Sequence, residues 1–150
     1  MQRSLSHQKS LVPFVYLALF VLYNSLCTIY PILPPFFGVL YLLFSRALQK
    51  DDTGSIFLLA IALMVYEANF NFMFGSSIIY FYLLHHFFMP KITQTILCKS
   101  CIKFLYVALA YIGYFLFLSL IANIFMLNVP SFHYYIIYYI VIEFFIVSVL

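Results

Sequence analysis

The chain is a succession of long apolar runs, and every Lys and Arg falls at alternate boundaries between them. Arg3 and Lys9 precede the first run, Arg46 and Lys50 follow the second, and Lys91, Lys99 and Lys103 lie between the fourth and the fifth. The turns Tyr30 to Pro35 and Asn128 to His133, and the break around Gly75, carry neither residue type. Lys and Arg accumulate on the cytoplasmic side of membrane proteins, so strict alternation predicts both the number of crossings and their direction. Six crossings with both termini inside put all seven basic residues in the cytoplasm. The expected fold is all-α, a polytopic membrane helix bundle of about six transmembrane helices with short loops. Residues 1–150 then form a single transmembrane domain, with spans at about 11–30, 35–48, 55–74, 76–89, 104–127 and 132–150.

Composition supports this. Of 150 residues, 67% are hydrophobic and 7% charged, where a soluble domain carries about 25% charged residues. Within lipid, backbone polar groups must be satisfied inside helices or closed barrels. The runs are continuous rather than alternating, which selects helices. Six spans leave no room for a soluble domain. The net charge of +3 reflects the positive-inside bias; a nucleic-acid surface needs a dense basic patch, so lipid is an expected partner and nucleic acid is not. The 19 Phe and 14 Tyr read as bulky packing groups, with Tyr hydroxyls seeking partners.

Run one has the positive flank of a signal peptide, but it is too long and lacks a small-residue cleavage pattern. Run two is short enough for a re-entrant segment. Its flanking Arg46 and Lys50 argue for a crossing, and Pro31, Pro34 and Pro35 argue for a hairpin before it. Asp51 to Ser55 offer capping side chains for the third helix. Runs three and four meet at Gly75-Ser76-Ser77. As one helix they would reach about 50 Å, too long for one crossing, so two helices are expected. Pro90 is expected to end run four, with Lys91 to Lys103 as a basic loop.

Glu67 lies about 18 Å into the third helix, where a carboxylate costs about 2.5–3.5 kcal/mol on insertion scales and faces the bundle interior. Asn71, at i+4, is expected on the same face. Glu143 is similarly deep in the sixth span, and Asn123 lies near the outer end of the fifth. Glu67 and Glu143 read either as an ion- or substrate-coupling pair or as protonated carboxyls hydrogen-bonded to Asn or Tyr that hold helices together. The absence of a basic partner for either carboxyl within the spans favours the second. Gly38, Gly75, Ser76 and Gly113 are candidates for close helix approach.

No catalytic group, cofactor site or metal site is expected. Cys98-Lys99-Ser100-Cys101 lacks the second ligand pair that zinc needs and the βαβ context of a thioredoxin motif. Cys27 is alone in an apolar run. His85 and His86 point to different helical faces. Neither a Ser-His-Asp arrangement, a P-loop nor a paired-glycine fingerprint is present, which argues against an enzyme.

The order of motifs from Pro34 to Phe88 resembles MreD, a family of integral membrane rod-shape-determining proteins. Pro34-Pro35-Phe36-Phe37 opens run two, Arg46 to Thr53 forms the polar loop, and Glu67 stands where the family has Asp. Gly75 follows eight positions on, as the family's Gly does, and Phe74-Gly75 matches its apolar-Gly pair. Glu for Asp, and Asn71 where the family usually has Gly, are departures. The resemblance implies a non-catalytic scaffold of the cell-elongation machinery in the bacterial inner membrane. Its partners would be MreC-like and other membrane proteins, and its role rod shape and peptidoglycan synthesis. The alternative is the substrate-binding membrane subunit of a vitamin-type transporter, which also uses six short helices but needs a convergent polar pocket.

Overall fold

The computed structural model describes residues 3–128 and 133–149, with side chains from residue 12 onward. The described residues are all-α and contain six continuous helices. These are α1 (Arg3–Ile29), α2 (Phe37–Gln49), α3 (Thr53–Asn69), α4 (76–95), α5 (Lys99–Phe125) and α6 (Tyr135–Val149). Two stretches, Val12–Ile29 and Lys99–Phe125, are long and apolar enough to cross a membrane; α2, α3 and α6 are shorter apolar helices.

Several boundaries differ from the sequence expectation. The backbone of α1 is helical from Arg3, well before Leu11, and carries Pro13 inside it. The third helix stops at Asn69 rather than Phe74, and a loop with Asn71 in the left-handed region (φ 54°) leads to Gly75. Pro90 does not end α4. The helix widens into a π-turn over Leu84–Phe88, with the Met89 N–H reaching the Leu84 carbonyl, and then continues through Met89–Thr95. A proline ring collides with the carbonyl one α-turn before it; the π-turn displaces that carbonyl and lets the helix run on. The basic loop therefore contracts to 96–98, because α5 starts at Lys99 rather than at Phe104. A second π-turn interrupts α5 at Leu109–Gly113. The expected turn at Pro130 and Ser131 lies outside the described residues.

α2 is the hub. It packs against α3, α4, α5 and α6, while α1 leans mainly on α3. The core joins Phe37, Tyr41 and Phe44 of α2 to Leu63 and Tyr66 of α3, Phe81 and Leu84 of α4, Val107, Tyr111 and Tyr114 of α5, and Ile140 and Val147 of α6. Phe37 is wholly buried within 4.8 Å of the ring centroids of Tyr66, Phe81 and Tyr114. Stacked and tilted rings at this spacing contribute about 0.5–1.5 kcal/mol per pair beyond their burial.

Outward positions are apolar too. On α6, Ile137, Val141 and Phe145 are exposed while Glu143 is fully buried, the reverse of a water-facing helix.

The bundle has two distinct ends. At one, Ser45 of α2 meets His85 of α4 at 3.1 Å, and Lys103 of α5 donates to the Ser148 carbonyl of α6 at 3.3 Å. Asp52 caps α3 at this end, accepting from the Ser55 hydroxyl at 2.6 Å and its N–H at 3.4 Å. Those bonds hold the Asp52 carboxyl below its usual range. At the other end the Tyr139 hydroxyl donates to the Pro31 carbonyl, and the 70–75 loop approaches α5.

Candidate functional site: two buried carboxyl caps beneath an aromatic cleft

A helix begins with N–H groups that have no partner inside the helix, and a buried start must find them one. Both α2 and α4 begin inside the protein, after a residue in the left-handed region that offers no side-chain cap: Phe36 (φ 57°) and Gly75 (φ 82°). Each start is closed by a glutamate from elsewhere.

Glu67, near the end of α3, turns onto the first turn of α4. Its Oε2 accepts from the Gly75 N–H at 2.5 Å. Its Oε1 accepts from the Ser77 N–H at 2.6 Å, the Ser77 hydroxyl at 2.5 Å and the Ser76 hydroxyl at 3.1 Å. Ser76 also meets the Tyr114 hydroxyl at 2.9 Å. Glu143 of α6 does the same for α2. Its Oε2 accepts from the Gly38 N–H at 2.7 Å and the Val39 N–H at 3.3 Å, and its Oε1 from the Tyr111 hydroxyl. The positive end of each helix dipole faces a carboxyl group. Both glutamates, Ser76 and Ser77 are buried.

Tyr111 and Tyr114, three apart on α5, therefore serve the two caps from one helix. Among the described residues no hydrogen bond joins the two carboxyl groups, which occupy separate helix starts. Asn71 is not a partner of Glu67. It lies beyond the end of α3, so the i+4 relation does not apply, and it is exposed. Asn123 is also exposed, on α5 away from both carboxyls.

The glycines divide by cause. A Cβ on Gly38 would stand 2.7 Å from Glu143 Oε2 and 3.1 Å from Val107 Cγ1, so glycine is what lets the carboxyl reach the backbone. A Cβ on Gly113 would collide with the Tyr80 phenol, whose hydroxyl donates to the Leu109 carbonyl at 2.6 Å; this is close approach of α4 to the π-turn of α5. Gly75 has nothing within 4 Å of its Cβ position, so it is not a helix-contact residue. Its role is the left-handed backbone that starts α4. Ser76 is a member of the Glu67 network rather than a small spacer.

Above the caps, toward the Pro31 end, a cleft of about 920 Å³ opens between the 70–75 loop, α5 and α6. Tyr66, Phe72, Tyr111, Tyr114 and Tyr139 form its walls, and Asn71, Asn128 and His133 are its polar lining. No charged side chain lines it, and the described residues contain no cluster of three His, Cys, Asp or Glu able to hold a metal ion. His85 and His86 have separate partners, Ser45 and the Tyr82 ring. The cleft went unforeseen because its lining comes from four distant segments. Its one sequence signal is the density of Tyr on α5 and α6.

Comparison with protein-family models, with curated proteins and with solved structures finds no match.

Proposed function

We propose that this chain is a six-span membrane protein with both termini in the cytoplasm, serving as a non-catalytic scaffold of the bacterial cell-elongation machinery, in line with its resemblance to MreD. The observation that carries the reading is the Glu67–Gly75 unit. The Glu-x7-Gly spacing on which the resemblance rests is a physical device, in which the carboxyl receives the first N–H of a buried helix start. Glu67 and Glu143 are occupied in holding helices together, which suits a scaffold better than an ion-coupled machine. The outward apolar faces of α1 and α6 suit lipid. Arg46, Lys50, Lys91, Lys99 and Lys103 belong to the Ser45–His85 end, opposite the cleft, as a positive-inside arrangement requires. In this reading partners are MreC-like and other inner-membrane proteins, met through helix faces and ends, and the readout is rod shape and peptidoglycan synthesis.

Depletion in the native cell tests the function: rounded cells with unchanged solute uptake are expected. Single cysteines at positions 50, 99 and 131 test the topology. Labelling of 131 alone from the periplasm is expected, and periplasmic labelling of 50 or 99 overturns it.

The aromatic cleft favours one other reading, the substrate-binding subunit of a vitamin-type transporter, since it has the size and apolar lining of a small-molecule site. Normal cell shape on complete depletion, with loss of uptake of one vitamin, would replace the scaffold by this reading.

A further inference from the structure

Away from both carboxyl caps, the first turn of α5 carries a pair of thiols. Cys98 is the N-cap of that helix (φ −81°, ψ 112°), and Cys101 lies within its first turn. Both are free and exposed. The third cysteine, Cys27, is buried with its thiol directed at the Pro34 carbonyl 3.8 Å away. In the sequence the Cys-x-x-Cys spacing had no structural context. In the fold it sits on a helix N-terminus, where orphan N–H groups and the dipole favour an anion and make a thiolate available. The adjacent Cys101 thiol and the nearby Cys101 and Ser100 N–H groups of the first turn hold Cys98 below the ordinary thiol range. Lys99 adjoins it and Lys103 follows one turn on, and no acidic residue lies between 96 and 103.

We propose that Cys98 and Cys101 are a dithiol pair that exchanges with disulfides, Cys98 attacking and Cys101 resolving. The Cys98 thiolate attacks one sulfur of a disulfide R–S–S–R, forms a mixed disulfide and expels RS⁻, which takes a proton from solvent. Cys101 then loses its proton to solvent and attacks the Cys98 sulfur. The Cys98–Cys101 disulfide closes, and the second RS⁻ leaves and is protonated. Two protein thiols are oxidised, and one disulfide is reduced to two thiols. Exposure on the first turn, beyond the apolar part of α5, leaves both sulfurs open to a water-borne disulfide. On the reducing side of the membrane such a pair is a transient sensor rather than a permanent staple.

The test uses the full-length protein in permeabilised membranes, with oxidised glutathione as the disulfide. Samples are acid-quenched and denatured, and thiols are counted by gel shift with a polymer-linked maleimide. Wild type is expected to fall from three reactive thiols to one, as two of the three free cysteines pair. Cys101→Ser is expected to stop at a mixed disulfide carrying one glutathione on residue 98. Cys98→Ser is expected to react about tenfold more slowly, because Cys101, inside the first turn rather than at the N-cap, is not placed to face the orphan N–H groups as Cys98 is. Cys27→Ser is expected to fall from two reactive thiols to none at the wild-type rate. The proposal is overturned if all three thiols persist under a glutathione ratio that oxidises a free peptide of the same Cys-x-x-Cys spacing. It is equally overturned if the two single variants react at equal rates, or if Cys27→Ser prevents the disulfide.

Discussion

Glu67 closes the start of α4 from the adjoining stretch of chain, through donors 8 to 10 residues ahead of it, whereas Glu143 closes the start of α2 across 104 and 105 residues. The backbones they serve differ as well. α4 begins after a glycine at φ 82°, which adopts that conformation freely; α2 begins after Phe36 at φ 57°, where a bulky side chain is strained. What holds Phe36 there is tertiary: its ring stacks on Tyr23 at 4.6 Å, and the turn that follows is gripped by Glu143. One helix start is thus built from the adjoining stretch of chain. The other exists only when α1, α2, α5 and α6 are assembled.

The largest effect that tests this asymmetry is expected from Glu143→Leu. It strands the Gly38 and Val39 N–H groups and the Tyr111 hydroxyl in the core and releases a strained turn, at a cost of about 3 kcal/mol or more. Unfolding of the purified protein in mixed detergent micelles, read against wild type, measures it. If Glu67→Leu is as damaging as Glu143→Leu, the distinction between a local and an assembled helix start fails.

Next in size is Gly38→Ala. Its methyl must displace Glu143 or Val107 at contacts of 2.7 and 3.1 Å, so a loss of about 1–3 kcal/mol is expected in the same assay. The double variant with Glu143→Leu sharpens the reading. Removing the carboxyl should abolish most of the penalty of the methyl, a non-additivity that distant sites do not show.

Glu67→Gln is expected to cost about 1 kcal/mol, since an amide retains one acceptor oxygen but its NH2 cannot accept from the Gly75 or Ser77 N–H. Gly75→Ala is expected to cost about the same, for backbone reasons alone, because the space around it is open. A much larger loss at Gly75 in the isolated protein would mean that α4 packs against the 70–75 loop more tightly than the geometry indicates.

The smallest effect is expected at Asn123. It is exposed on α5 and uninvolved in either cap, so Asn123→Ala should stay within about 0.5 kcal/mol. A larger loss of partner co-purification than of stability would instead mark that face of α5 as an interface.

The sequence alone was enough to establish an all-helical chain with six apolar segments, and it located the starts of α2 and α3 to within two residues, because hydropathy and turn chemistry act over a few neighbouring positions. It also singled out Glu67 and Glu143, since a carboxyl within an apolar run cannot be left without partners. Its errors share a cause. Helical arithmetic sets Asn71 on the face of Glu67, but α3 ends two residues too soon for that arithmetic. Pro90 reads as a stop by local rules, although the π-turn just before it carries the helix past it. In each case a local rule yielded to a backbone irregularity that packing selects. Only the tertiary structure could decide which donors the carboxyls receive, that two tyrosines of α5 serve both caps, and that a cleft lies above them. Those depend on residues up to 105 positions apart arriving at one place, and a periodicity carries no information about partners at that range.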